Sequence, residues 1–252
     1  MTKQNTQQQK QFNILLIGDN CVDIYQYGTI DRLSPEAPVP VFVPSYTEER
    51  HGMAGNVCNN LEALGCNVNY LFGETSTKTR LIDSRSKQQI VRIDNDVEST
   101  PITFDTAIPD VYDAIVVSDY NKGTVSYELI EELIALSVPI FIDTKKTDLE
   151  RFQGAWVKIN SLEYTKIKSK CSGLIVTAGA EGAYYKGMRY PAVKVEVADV
   201  CGAGDTFLSA LVYQYLTTKD IDSSIPFAIR ASEVTVQHTG VYAPSLGEIN
   251  AT

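Results

Sequence analysis

The sequence predicts an α/β fold, with a mostly parallel central sheet flanked by helices and a small β lid, and three observations carry that prediction. Short apolar segments at 114–118 (AIVVS), 139–143 (PIFID), 156–160 (WVKIN) and 173–177 (GLIVT) recur along the second half, and a helical pattern at Tyr127 to Leu136 falls between the first two. Strands alternating with helices imply parallel pairing and helices on both faces. The first apolar run, Phe12 to Gly18 (FNILLIG), ends in Gly-Asp, as a buried strand does when it delivers polar groups to a ligand site at its carboxyl end. Between residues 31 and 46, prolines at 35, 38, 40 and 44 forbid a helix and allow only extended or edge-strand backbone.

The remaining elements follow in order. Asn56 to Leu64 has Val57, Leu61 and Leu64 on one face and Gly65 as a stop, and a strand is expected at Asn67 to Phe72. Residues 79–94 include an alternating segment, Gln89 to Ile93, expected to form an extended ribbon that pairs with the proline-rich stretch. A hairpin at Tyr184 to Tyr190 and a strand-like KVEV at 194–197 precede two late helices, Ala203 to Leu216 and Pro226 to Thr239, joined by a polar connection at 217–224. The expected organisation is a flexible polar tail at 1–11 and one domain at 12–252, with lid segments at about 24–50 and 78–95.

With 252 residues, 44% hydrophobic and 21% charged, the chain can bury a full single-domain core. A formal net charge of −9 argues against a general affinity for nucleic acid or anionic membrane, so an anionic ligand must be held by local geometry. The tail lacks the apolar core of a secretory signal, no apolar run reaches membrane-spanning length, and the five cysteines contain no CxxC pair. A soluble cytoplasmic protein with reduced thiols is expected. His51 and His238 are isolated and make poor zinc ligands. Neither G-x-G-x-x-G after the first strand nor G-x-x-x-x-G-K-[ST] occurs, which disfavours dinucleotide oxidoreductases and P-loop enzymes.

The most informative segment is ADVCGAGDTF at 198–207, which opens a helix with the apolar stripe Phe207, Leu208, Leu211, Val212 and Leu216. A Gly-Ala-Gly turn aims successive backbone N–H groups from the positive end of a helix, which makes an anion site suited to phosphate. Asp205, in the first turn, is placed to accept a proton from a hydroxyl directed at that anion. Alone, GxGD is short, and a glycine-shaped turn with an ordinary helix-start carboxylate would read the same way.

Asp199 to Asp205 matches at every defining position the Asp-x-x-Gly-Ala-Gly-Asp signature of the ribokinase-like (PfkB) carbohydrate kinases, and the chain resembles that family. The resemblance implies that Asp205 is the catalytic base, that Gly202, Ala203 and Gly204 form the anion hole, and that Asp199 belongs to a loop supporting a monovalent cation such as K⁺. Cys201 stands where the family usually has Thr. Asn160-Ser-Leu-Glu163 resembles the family's Asn-x-x-Glu element, implying that Glu163 helps hold Mg²⁺ and that Asn160 faces the phosphates of ATP. Thr177-Ala-Gly179-Ala-Glu-Gly182 resembles its Thr-x-Gly-x-x-Gly nucleotide loop. Gly52-Met-Ala-Gly-Asn56 resembles its sugar-side element, with Asn56 and Asp23 expected on sugar hydroxyls and Met53 in place of the second glycine.

Within the family the chain is most similar to kinases of D-glycero-β-D-manno-heptose 7-phosphate. The likeness lies in Gly18-Asp19 with Asp23, in RLSPEAPVPV at 32–41, in SDYNKG at 118–123, and in the pattern from Arg85 to Asp94. It implies phosphoryl transfer from ATP to the anomeric hydroxyl, with Arg32, Lys122 and Lys145 as candidate partners of the sugar's own phosphate. Solvated surface charge is the competing reading of those three residues. The links at 73–78 and 163–173 look shortened relative to the family. A kinase of another sugar or nucleoside, and a catalytically silent sugar- or nucleotide-binding protein, are the alternatives. An exposed lid with Val39, Val41 and Val43 predicts a homodimer.

Overall fold

Successive side chains of a strand point to opposite faces of its sheet, so the unbroken run Ile14–Ile17 must be covered on both. The computed structural model of the chain describes residues 11–103 and 111–251; the expected tail, apart from Gln11, lies outside them. Its elements are β1 (Asn13–Leu33), β2 (Pro40–Met53), α1 (Ala54–Ala63), β3 (Asn67–Asp83), β4 (Gln89–Asn95), β5 (Ala114–Asp119), α2 (Tyr127–Ile134), β6 (Ile140–Thr144), β7 (Trp156–Asn160), α3 (Ser161–Tyr164), β8 (Leu174–Thr177), β9 (Ala183–Tyr185), β10 (Met188–Tyr190), α4 (Ala203–Thr218), α5 (Ile221–Val236) and α6 (Leu246–Ala251). The sheet runs β10-β9-β8-β7-β6-β5-β1-β3-β4, with β2 also paired to β1. Pairing is parallel from β3 through β1, β5, β6 and β7 to β8, and antiparallel outside that core.

Ile14 and Leu16 join one core with Val57 and Leu61 of α1, Phe207 and Leu211 of α4, and Ile225 of α5. Leu15 and Ile17 join the other, with Leu129, Ile130 and Leu133 of α2. The two cores are the two faces of one sheet. Helix α2 begins where Ser126 accepts the Leu129 N–H at 3.0 Å, an N-cap on an amphipathic stretch.

The lid is built from the outer half of β1 with β2, the end of β3 and β4. β1 does not stop at Gly18 but continues to Leu33, because both its edges stay paired: β2 runs antiparallel along one and β3 parallel along the other, past a register shift at Gly18/Asn20. The ribbon at 78–95 pairs with β1 and not with the proline-bearing strand. Pro40 and Pro44 lie in β2, which takes the outer edge where a missing N–H costs least.

Two further expectations are corrected. α5 starts at Ile221, five residues before Pro226, because Asp220 caps it through the N–H groups of Asp222 and Ser223 at 3.1 and 3.2 Å. KVEV at 194–197 is not a strand. No helix among the described residues is long and apolar enough to cross a membrane. The five cysteines are free; burial pushes Cys66 up to about 12 and Cys201 up to about 11, so neither is a ready nucleophile.

Candidate active site

The carboxyl ends of the parallel strands and the amino ends of α1 and α4 meet at one place. Residues 199–202 lead into α4 with Gly202 at φ 78°, a left-handed conformation that favours glycine. Asp199 ties this loop down: its Oδ1 accepts the Cys201 N–H and its Oδ2 the Gly240 N–H, each at 3.0 Å. The first-turn N–H groups of α4 have no acceptors within the helix; that of Ala203 reaches the Val200 carbonyl at 3.4 Å. Gly204 is needed for a second reason, since a Cβ there would lie 2.8 Å from the Lys158 Nζ.

Asp205 is 7% exposed, and both its oxygens are held. Asn56 Nδ2 donates to Oδ2 at 2.7 Å and the Tyr120 hydroxyl donates to Oδ1 at 3.2 Å. Burial raises the Asp205 carboxyl to about 6; the Asn56 hydrogen bond opposes that, the nearby Asp143 reinforces it, and Lys158 and Tyr120 oppose it. A carboxylate with this value is ionised at neutral pH yet basic enough to take a proton. Behind it, Asn60 accepts from Thr206 at 2.8 Å and donates to the Asn56 carbonyl at 2.8 Å, so a buried polar line locks α1 to α4.

Lys158 was not singled out from the sequence. It sits on β7 directly opposite Asp143 of β6, and its Nζ donates to Asp143 Oδ2 at 2.6 Å with the side chain 5% exposed. Burial disfavours the ammonium, but the Asp143 carboxylate outweighs it and holds Lys158 above its usual value. The signal was present as a lysine interrupting the apolar strand WVKIN.

Asn160 and Glu163 form a capping box at α3: Asn160 Oδ1 accepts the Glu163 N–H and Glu163 Oε2 accepts the Asn160 N–H, both at 2.8 Å. Lys145 donates to Glu163 Oε1 at 2.5 Å and lies 5.0 Å from the centroid of the Tyr120 ring. Burial works against the Glu163 charge, yet the Asn160 N–H and Lys145 keep its carboxyl below the usual value. Among the described residues no three carboxylate, His or Cys groups cluster as a metal cage. One ionised Glu with free lone pairs suits Mg²⁺ carried in on nucleotide phosphates, since Mg²⁺ takes one or two carboxylates and keeps waters and phosphate oxygens for the rest.

On one side of the anion-hole loop is a cleft of about 240 Å³ whose walls include Thr177, Gly179, Gly182, Ala203 and Gly204. Thr177, Gly179 and Gly182 thus share one cavity with Ala203 and Gly204. On the lid side, Asp23 Oδ1 accepts Arg80 Nη1 at 2.5 Å, and a Cβ on Gly52 would lie 2.5 Å from Asp23 Oδ2, so a larger residue there would displace the Asp23 carboxylate. Arg50 and Arg80 both lie over the Tyr25 ring, at 4.8 and 5.0 Å. Met53, the N-cap residue of α1, is buried and held at φ 52°, ψ −132°. Such a conformation costs a residue other than glycine about 1–3 kcal/mol.

The structure separates the three candidate phosphate ligands. Arg32 is exposed near the tip of the lid, roughly 30 Å along β1 from Asp23 at a strand's rise per residue. Lys122 is engaged by Asp96 at 2.5 Å, and Lys145 by Glu163. The Lys145 side chain lies over the Tyr120 ring, whose hydroxyl donates to Asp205.

Residues 145–247 match the model of the pfkB family carbohydrate kinases. The chain is 36% identical over 298 residues to the bifunctional protein HldE of Nitratiruptor sp., an alignment that covers 94% of this chain and 64% of that one. It is 32% identical over 302 residues to the bifunctional protein HldE of Aliivibrio fischeri, with 95% and 63% covered. The chain therefore spans just under two thirds of the length of these relatives. The aligned spans also exceed the whole chain, so the relatives carry residues within them that this chain lacks. Among solved structures, the ribokinase of Arabidopsis thaliana complexed with ribose and ATP superposes with a TM-score of 0.69 at 12% identity, covering 96% and 98% of the two chains. A nucleoside kinase of Burkholderia thailandensis in complex with inosine gives 0.63 at 20%, covering 94% and 95%. The fold is thus ribokinase-like, and residues 145–247 carry the match to the pfkB family carbohydrate kinases.

Proposed function

We propose that the chain transfers the γ-phosphoryl group of ATP to a sugar phosphate, with a heptose 7-phosphate accepting at its anomeric hydroxyl. The observation that carries this reading is the position of Asp205: a buried, ionisable carboxylate at the amino end of α4, next in sequence to the cleft residues Ala203 and Gly204 and hydrogen-bonded to Asn56 of α1. The nucleotide lies in the cleft, with its terminal phosphate against the first-turn N–H groups of α4. The acceptor lies under the lid against Asp23 and Asn56, with its reacting hydroxyl on Asp205.

Asp205 takes the hydroxyl proton as the sugar oxygen bonds to the γ-phosphorus. The bond from that phosphorus to the β,γ-bridging oxygen breaks, and ADP departs. The N–H groups of Gly202, Ala203 and Gly204 face the charge that spreads over the transferring group. Mg²⁺ supplies charge neutralisation on the phosphates when bound, with Glu163 as the protein residue that would hold it and Asn160 beside it on the phosphates. Asp199 anchors the loop that the resemblance associates with a monovalent cation. Arg80, bonded to Asp23, and Arg50, which shares the Tyr25 ring with it, join Lys145 as candidates for the acceptor's phosphate.

A second reading, a kinase with a different acceptor, rests on Met53. Its buried side chain stands where the family's sugar-side element has a second glycine. ADP release with Mg²⁺-ATP, measured against heptose 7-phosphate, hexose phosphates, free hexoses, pentoses and nucleosides, tests both. Selective turnover of the heptose phosphate is expected. Selective turnover of another sugar would replace the acceptor, and no turnover with any of them would overturn the kinase reading.

A further inference from the structure

The connection from α3 to β8, residues 165–173, contains no helix. Leu174 and Val176, which share one face of β8, are only half-buried, and Tyr184 of β9 stands directly opposite Val176 on that face. A cavity of about 540 Å³ opens over them, with Tyr164 of α3 in its wall, and it shares no lining residue with the 240 Å³ cleft. Positive charge gathers at the same place. Residues 164–190 hold five basic side chains, Lys166, Lys168, Lys170, Lys186 and Arg189, against one acid, Glu181, in a chain with 22 basic and 31 acidic residues. Lys170 and Lys186 line the cavity, are exposed, and have no carboxylate partner among the described residues. Lys170 donates to the Tyr164 hydroxyl, and Lys186 lies 5.2 Å from the centroid of the Tyr185 ring. Glu181 also lines the cavity, and the Tyr184 hydroxyl donates to its Oε2 at 3.0 Å.

We propose that this cavity binds a small amphipathic anion, an aromatic ring system carrying one sulfonate, phosphate or carboxylate. Its volume suits a small organic ligand, and its walls are mainly apolar and aromatic with a few polar groups to set orientation. The ring lies against Leu174, Val176 and Tyr184, and the anionic group meets the ammonium groups of Lys170 and Lys186, which act as point charges. In a chain of net charge −9 an anion is held only where basic groups collect without counter-ions. The site is separate from the one read as a kinase centre, and neither depends on the other.

Anilinonaphthalene sulfonate, whose fluorescence rises in an apolar site, is the probe, titrated into the full chain with ADP in excess to occupy the cleft. The wild-type protein is expected to bind it at a single site. Lys170→Gln combined with Lys186→Asn should weaken that binding by about tenfold or more, the scale of one charge-assisted contact. Asparagine tolerates the left-handed backbone at position 186, where φ is 48°, and both side chains are exposed, so the variant should fold as the wild type does. Lys170→Arg combined with Lys186→Arg keeps both charges and should keep the affinity within a few-fold. No probe bound by the wild type would overturn the proposal. Equal affinity in the glutamine–asparagine variant would place the probe elsewhere and overturn it too, and so would an equal loss in the arginine variant, since charge would then not be what the cavity reads. Each of these outcomes leaves the kinase reading to its own assay of ADP release.

Discussion

Asn56 and Asp205 stand 149 positions apart in the chain and meet through a 2.7 Å hydrogen bond from Nδ2 to Oδ2. One residue belongs to α1 and the other to α4, so this contact joins the helix proposed to face the sugar to the helix proposed to form the anion hole. It also sets the chemistry of Asp205, because a donor to a carboxylate favours the charged form.

The first prediction is a pH profile. Burial lifts the Asp205 carboxyl to about 6, and the proposed base works only when ionised, so turnover should rise through an acid limb near pH 6. Asn56→Leu removes the stronger opposing hydrogen bond and should move that limb upward. Tyr120→Phe, which removes the longer 3.2 Å contact, should move it less. Rate profiles of the three proteins check this, and coincident limbs would show that another group governs the profile.

A second prediction concerns stability. A carboxyl whose folded pKa is raised contributes stability below its unfolded value, near 3.8, and loses it as pH rises through the folded value of about 6. At pH 7 the cost of ionising Asp205 in the folded state is therefore present in full, about 3 kcal/mol for a shift of roughly two units. Asp205→Asn should thus unfold at higher denaturant concentration than the wild type at pH 7, with the gain vanishing near pH 4. Turnover should fall by about 10²- to 10⁴-fold in the same variant. A variant less stable at pH 7 would contradict the burial argument, and wild-type turnover would contradict the base.

Lys158 and Asp143 give a third prediction. Removing one member of a buried pair strands the other charge, which typically costs about 3–5 kcal/mol. Lys158→Met should be destabilised on that scale by chemical denaturation. Lys158→Met combined with Asp143→Leu should recover most of the loss, because no charge is then left buried. Equal stabilities of the two variants would mean that Asp143 finds another partner or takes up a proton.

How much of this was legible in the sequence depended on how local each signal is. The Gly-Ala-Gly turn, Asp205 and the apolar stripe from Phe207 to Leu216 lie within one helix start, so the anion-hole loop could be read before any tertiary contact was known. The full length of β1 could not, since its outer half is a strand only because β2 and β3, tens of residues away, pair with it. Tyr120 was visible within SDYNKG but nothing local connects it to Asp205, 85 positions on. Lys158 was the readable omission: a lysine inside a buried strand demands a counter-charge, and PIFID supplies Asp143 on the neighbouring strand. Arg32 is the opposite case. Its place in a specific sequence motif said nothing about where along a long strand it would fall.

The lid carries the last prediction. Register places Ile24, Thr79 and Ile93 in one cross-strand row and Gln26, Leu81 and Val91 in the next, on the face opposite Asp23 and Arg80. Val91 and Ile93 are 45% and 53% exposed. Apolar rows left open on a sheet invite burial against a second sheet, and we propose that a second copy of this chain covers them. Val91→Glu combined with Ile93→Glu should convert a dimer into a monomer by light scattering, with the melting temperature of the central domain little changed because neither residue reaches its core. A wild-type protein that is monomeric at micromolar concentration would refute the dimer. A dimer unaffected by the two charges would move the interface to another face.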